Sequence, residues 1–429
     1  MRALALAALL GLAAPAGAAE VLAITGGRVV RVSGPVIEGG TVIVEGGKIT
    51  AVGAGLPVPA GAVVVDATGK TVYPGLIDAL TTLGLTEIGS VPGSVDVAET
   101  GDVNPHARAW IALHPHSELI PVARANGITA ALAAPQGGLV SGQSALIRLS
   151  GTTPDALAVK QPVALHVVFP TGRVPFDVNR MFDEPERKTF EERLKEKRRN
   201  QEKELLRLRH LLEDAKAHAA ALEAARAGGV APRSDLRLEA LAPAARGELP
   251  VVIRADGEDE IRAAVAFAEE RGLKLIVAGG LEAGRVGDLL AQKGVAVLAN
   301  VDRLPARESD PYDAAYTNPA RLAEKGARFA IVSDDASQVR NLPYEAAMAR
   351  AFGLSAEAAL RAITLSPAEI LGVADRMGSI DPGKDANLVL ATGDIMDHRS
   401  EVTHVFIDGV AQSLETRHTR LYREFKDRP

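Results

Sequence analysis

From residue 74 to residue 380, short, predominantly apolar runs alternate with amphipathic stretches. The runs at 127–132, 162–169, 250–254, 273–277, 295–298 and 329–332 read as strands. The segment 259–271 is representative of what separates them: Ile261, Ala264, Val265 and Ala268 fall on one helical face. A strand with no polar face needs cover on both sides, which a parallel sheet beneath crossover helices supplies. A segment of roughly 300 residues exceeds the ~250 that a (β/α)8 barrel needs, and this predicts an α/β chain built on a TIM-type barrel. A doubly wound sheet is the alternative.

The flanks have a different texture. Leu22-Ala23-Ile24-Thr25, Arg28-Val29-Val30-Arg31 and Thr41-Val42-Ile43-Val44 are broken by the pairs Gly26-Gly27 and Gly46-Gly47, and the pattern returns at 386–390 and 402–407 before Asp408-Gly409. Residues 20–73 and 381–429 are therefore expected to form one small discontinuous β-sandwich around a barrel spanning 74–380. Residues 184–227 interrupt the barrel rhythm with a charged helical stretch carrying Leu205, Leu208, Leu212 and Ala215 at helical spacing. It is expected to pack one face on the barrel and solvate the other, with a lid or partner-binding segment as the alternative.

The N-terminus carries Met1-Arg2, an apolar run over 3–14, Pro15 and then Ala16-Gly17-Ala18-Ala19-Glu20. This predicts a signal peptide over residues 1–19 and an exported, periplasmic or secreted protein that leaves the membrane after cleavage. A buried N-terminal helix or an uncleaved anchor is the alternative. With 48 Lys+Arg against 54 Asp+Glu, the net charge of -6 offers no basic field for nucleic acid. The absence of cysteine excludes disulfides, thiolate nucleophiles and Cys-ligated zinc. The expected partner is a small-molecule ligand, and a homo-oligomer is compatible with this composition.

Directly after the first β segment stands Pro74-Gly75-Leu76-Ile77-Asp78-Ala79-Leu80-Thr81-Thr82-Leu83-Gly84. It resembles the Pro-Gly-Leu-Ile-Asp-x-His-x-His entry strand of the amidohydrolase superfamily. Far along the chain, Leu365-Ser366-Pro367-Ala368-Glu369-Ile370-Leu371-Gly372 and Gly378-Ser379-Ile380-Asp381-Pro382-Gly383-Lys384-Asp385-Ala386-Asn387-Leu388-Val389 are similar to the passage by which such chains leave the barrel. Ser366, Pro367 and Glu369 also have the order of an N-cap, a first-turn proline and a capping-box acid. Within the superfamily the chain is most similar to the exported imidazolonepropionase-like group.

The resemblance implies a hydrolase of carbon–nitrogen bonds, of the non-peptide, cyclic amide-like kind. It also implies a divalent metal, by family default zinc, at the C-terminal mouth of the barrel, where the ion activates water. The entry-strand histidines of the family align with Leu80 and Thr82, the fifth-strand histidine with Arg254 and the sixth-strand histidine with Ala278. Leucine and alanine have no donor and arginine repels a cation. Only the eighth-strand aspartate is kept, as Asp334, which in the family touches the metal and serves as catalytic base. No metal ligand set, and hence no cofactor, is expected from this sequence.

His114, His116, His106 and His166 are the candidates for a rebuilt metal site; against this, His166 on an apolar strand reads as a core residue. The phosphate-loop spacing at 137–144 has Gln143 where lysine is required and reads as a turn. Asp334, Asp335, Arg340, Asp302, Arg303 and Arg254 fall at or beyond strand ends, where barrels build their sites. Asp334 is the candidate catalytic residue, and Arg254 and Arg340 are the candidate substrate-binding residues. Two readings follow: a hydrolase with a degenerate metal site, or a catalytically inactive exported barrel that binds a small ligand or protein partner.

Overall fold

The computed structural model describes residues 21–171, 189–305 and 310–428. The expected signal peptide and residues 184–188 of the charged insertion lie outside them. Barrel staves are β1 (Leu76–Thr81), β2 (Ile128–Ala133), β3 in two halves (Val140–Gln143 and Ala145–Arg148), β4 (Leu165–Val168), β5 (Val251–Ala255), β6 (Leu275–Gly279), β7 (Ala296–Ala299) and β8 (Phe329–Ile331). One ladder joins β1, β2 and the second half of β3; the other runs from the first half of β3 through β4, β5, β6 and β7 to β8. Between the β3 halves, Ser144 donates its N–H to the Ala164 carbonyl at 3.0 Å. The seam from β8 to β1 is bridged where the Asp334 N–H donates to the Leu80 carbonyl at 2.9 Å.

The barrel is not wholly parallel, which departs from the expectation raised by the apolar runs. β3 is antiparallel to both β2 and β4. A parallel neighbour requires a long crossover. Between β2 and β3 the chain instead has only the turn around Gly137 and Gly138, both at positive φ.

Period-two alternation divides the strands into two cores. Ile77, Ala130, Ala164, Val252, Ile276, Ala278, Leu298, Ala330 and Val332 fill the barrel interior, with Leu371, Val373 and Met377 in the same cluster. The alternate residues, among them Leu76, Val251, Ile253, Val277 and Ile331, pack outward against the helices. In the entry motif Gly75 is required by close approach: a Cβ there would stand 2.1 Å from the Thr129 hydroxyl oxygen.

Phe190–Arg226 is one helix of 37 residues, opened by a capping box of Thr189 and Glu192. Leu208, Leu212, Ala215 and Ala219 are buried and Leu205 partly so, so the apolar spacing does mark a packed face.

Strands from both ends of the chain share one sheet. Leu388–Ala391 pairs antiparallel with Thr71–Pro74, in the register Leu388 to Pro74 and Ala391 to Thr71. Strand Leu22–Val29 forks, its first part pairing with Val63–Asp66 and its last part with Thr71–Pro74. Leu22, Ile24, Val42, Val44, Ile49, Leu388, Leu390 and Phe406 belong to a separate core there. The return motif latches onto this sheet: the Gly383 N–H donates to the Ile49 carbonyl at 2.7 Å, Arg31 pairs with Asp381, and Lys48 pairs with Asp385 at 2.7 Å.

The expected capping box at Ser366 and Glu369 does not form. The helix is Leu365–Ile370 with Thr364 at its N-cap, and Glu369 instead pairs with Arg361 at 2.6 Å. Arg361 lies on the preceding helix Ala356–Ala362, and its guanidinium outcompetes a backbone N–H for the carboxylate.

Candidate ligand site at the barrel mouth

Alternation along each stave decides which side chains reach the mouth. Two residues beyond interior Val252 lies Arg254; two beyond Val332 lies Asp334; two beyond Ala164 lies His166. All three line one cavity of about 330 Å³, together with Leu80, Ala278 and Arg303. The positions aligned with the entry, fifth, sixth and eighth strands of the superfamily are thus represented at one place. Thr82 is buried and does not line the cavity.

Arg254 grips both oxygens of Asp334, at 2.7 and 2.6 Å, and Arg303 adds a third bond at 2.6 Å. The Asp334 side chain is 2% exposed, against 34% for Arg254 and 48% for Arg303. Burial opposes the Arg254 charge, yet the hydrogen bonds and charge of Asp334 outweigh it and raise the guanidinium pKa further. Asp334 adopts a left-handed backbone, φ 56°, which aspartate tolerates better than most residues. Strain of this kind gathers at functional sites.

His166 is buried and its Nε2 has no hydrogen-bond partner. Burial first, then the Arg254 charge, hold its pKa down to about 3 against the pull of Asp334, so the ring is neutral. Behind the mouth lie two more carboxyls. Asp78 is fully buried; it accepts the Ser333 hydroxyl and the Leu80 N–H, and burial still raises its pKa to about 7. Glu345, on helix Leu342–Ala351, is buried with neither oxygen partnered. Burial, reinforced by Asp78, Asp302 and Asp334, pushes it up to about 9.

The other sequence candidates lie elsewhere. Arg340 is exposed, and its backbone carbonyl accepts from the Asn126 side chain at 2.5 Å. Asp335 turns its carboxylate onto the N–H groups of Ser337 and Gln338. His106, His114 and His116 are exposed and line no part of this cavity, so the rebuilt metal site is not assembled. Among the described residues, no group of three His, Cys, Asp or Glu side chains is placed to hold a metal ion. Sequence reasoning passes over Glu345 and reads His166 as core; the parity signal from Ala164 is what places His166 at the mouth.

Residues 140–411 match the model of the Amidohydrolase family. Amidohydrolase tasK from Hapsidospora irregularis is 25% identical over an alignment of 405 residues that covers 87% of this chain. The chain spans 40% of the length of that curated relative. Among solved structures, an amidohydrolase from Thermotoga maritima superposes with a TM-score of 0.79 at 28% identity, covering 91% of this chain and 99% of its own. A prolidase crystallised with N-methylphosphonate-L-proline shares the fold at a TM-score of 0.53 and 18% identity, over 92% of this chain and 99% of its own.

Proposed function

The chain belongs to the amidohydrolase family, and from that premise we propose that it is an exported member with a degenerate metal site whose barrel mouth binds a small carboxylate ligand. One observation carries the reading: where the family would place a cation of its own, Arg254 and Arg303 converge on Asp334. Two guanidinium groups meet the buried Asp334 carboxylate here, with Asp256 also within reach of both charges, and each arginine side chain keeps an exposed part beside a lining that includes Leu80, Val252 and Ala278. A planar guanidinium is the preferred partner for a carboxylate.

The family's metal does not fit the residues present. Leu80 and Ala278 have no donor atom, and the one retained carboxylate has both oxygens taken by Arg254. Export rests on the leader-like segment 1–19.

A second reading is favoured by the 28% identity to the amidohydrolase from Thermotoga maritima. In it the protein hydrolyses a carbon–nitrogen bond, with Asp334 as base for water once an incoming anion has drawn the arginines away. Metal analysis of protein purified without chelator, together with titration by small carboxylates, separates the two. The binding reading expects substoichiometric metal and carboxylate affinity that Arg254→Ala weakens. About one firmly bound ion per chain would overturn it. Turnover lost in Asp334→Asn would establish the second reading.

A further inference from the structure

The walls of the mouth cavity describe more of the ligand than its charge. Resting on the carboxylate-binding reading above, we infer that the ligand is a small α-substituted monocarboxylate: an apolar body, a carboxylate for Arg254 and Arg303, and a hydroxyl or N–H group for His166.

Size sets the first limit. A cavity of about 330 Å³ lies at the lower end of the ~300–1,000 Å³ typical of ligand pockets, which admits a molecule of amino-acid size. Charge sets the second. Asp334 engages two N–H groups of Arg254 and one of Arg303, while each guanidinium carries five donors. Both arginine side chains remain partly exposed at 34% and 48%, so an incoming carboxylate can share the clamp without expelling Asp334. Leu80, Val168, Val252 and Ala278 give the body of the ligand an apolar surface.

His166 supplies a further polar contact, in a lining that also holds Gln136 and Ser141. Its ring lines the cavity beside Arg254, and its Nε2 is buried without a partner. A buried polar atom left unpaired costs about 1–3 kcal/mol. A neutral imidazole offers one donor and one acceptor nitrogen. The guanidinium groups next to it are donors only, so the imidazole brings to this end an acceptor that they lack. A group next to the carboxylate would stand beside the imidazole when the carboxylate lies on Arg254.

The test is calorimetric titration of the full chain with isocaproate and with α-hydroxyisocaproate. Wild type is expected to prefer the hydroxy acid by about threefold to tenfold, the worth of one hydrogen bond. His166→Phe is expected to lose that preference while holding the plain acid as before, and His166→Asn to restore part of it. Arg254→Ala is expected to weaken both ligands alike. Preference retained in His166→Phe, in a variant with unchanged circular dichroism, would overturn the role of His166 and leave the carboxylate reading standing. Unchanged affinity for both acids in Arg254→Ala, or no binding of either by wild type, would overturn the carboxylate reading and this inference together.

Discussion

Asp334 and Glu345 are both buried carboxyl groups close enough for each to feel the other's charge, and the fold treats them in opposite ways. Asp334 receives three hydrogen bonds from two arginines, with Arg254 on both of its oxygens. Glu345 has no partner on either oxygen, and burial together with neighbouring Asp78, Asp302 and Asp334 keeps it protonated up to about pH 9. One carboxyl is neutralised by a fixed cation and the other by a proton. A paired charge depends on its partner; a protonated acid needs no partner and is exposed to pH. This barrel combines the two: a charged clamp at its mouth and, behind it, a buried carboxyl that stays neutral only while it keeps its proton.

Breaking the clamp should have the largest effect. Arg254→Ala leaves a nearly inaccessible carboxylate with only the half-exposed Arg303. Removing one partner of a fully buried pair costs about 3–5 kcal/mol, and the surviving arginine reduces the expected loss to about 2–3 kcal/mol in denaturant unfolding. Arg254→Lys should recover only part, because an ammonium cannot make the paired bonds to both oxygens. Removing Asp334 as well, in Arg254→Ala/Asp334→Ala, should return stability toward wild type. A double variant no more stable than Arg254→Ala would show that the Asp334 charge is not what Arg254 offsets.

The unpaired carboxyl should respond to pH with the next largest effect. Glu345 has a folded pKa of about 9, above its ordinary 4.5, so the native state keeps a proton that the unfolded chain has released. Stability therefore falls as pH rises through that interval, by up to about 1.4 kcal/mol per pH unit for one proton. Asp78 adds to the slope only below its folded value of about 7. Between pH 7 and 9 the decline belongs to Glu345, and Glu345→Gln should flatten it. An equal slope in the variant would assign the proton to another group.

Much of this site is legible in the order of residues along the chain. A strand's period of two carries Val252 to Arg254 and Val332 to Asp334, and residue type alone removes Leu80 and Ala278 from any ligand set. The pairing is not legible there. Arg303 lies in the loop beyond β7, where no period fixes direction, and it reaches Asp334 through tertiary placement. Glu345 stands in the first turn of a helix, where an acid is expected for the helix dipole. Only the packing of that helix on the barrel reveals it as buried. The antiparallel β3 does leave a trace, since no helical stretch separates Ala133 from Val140. At Ser366, by contrast, a sound local signal loses to the longer-range Arg361–Glu369 pair.

The smallest effect expected tests how completely the clamp has displaced metal chemistry. Leu80→His/Thr82→His restores the two histidines of the superfamily's entry strand, yet zinc affinity measured by competition with a chelating dye should stay weak. Leu80 reaches the cavity and Thr82 does not. Arg254 would still cover both oxygens of Asp334 and place a positive charge beside the ion. Adding Arg254→His removes that charge, frees Asp334 and contributes a nitrogen, so the triple variant should bind zinc more tightly than the double. Tight zinc binding by the double variant would mean that the arginine clamp gives way to an ion, and the paired half of the comparison would fail.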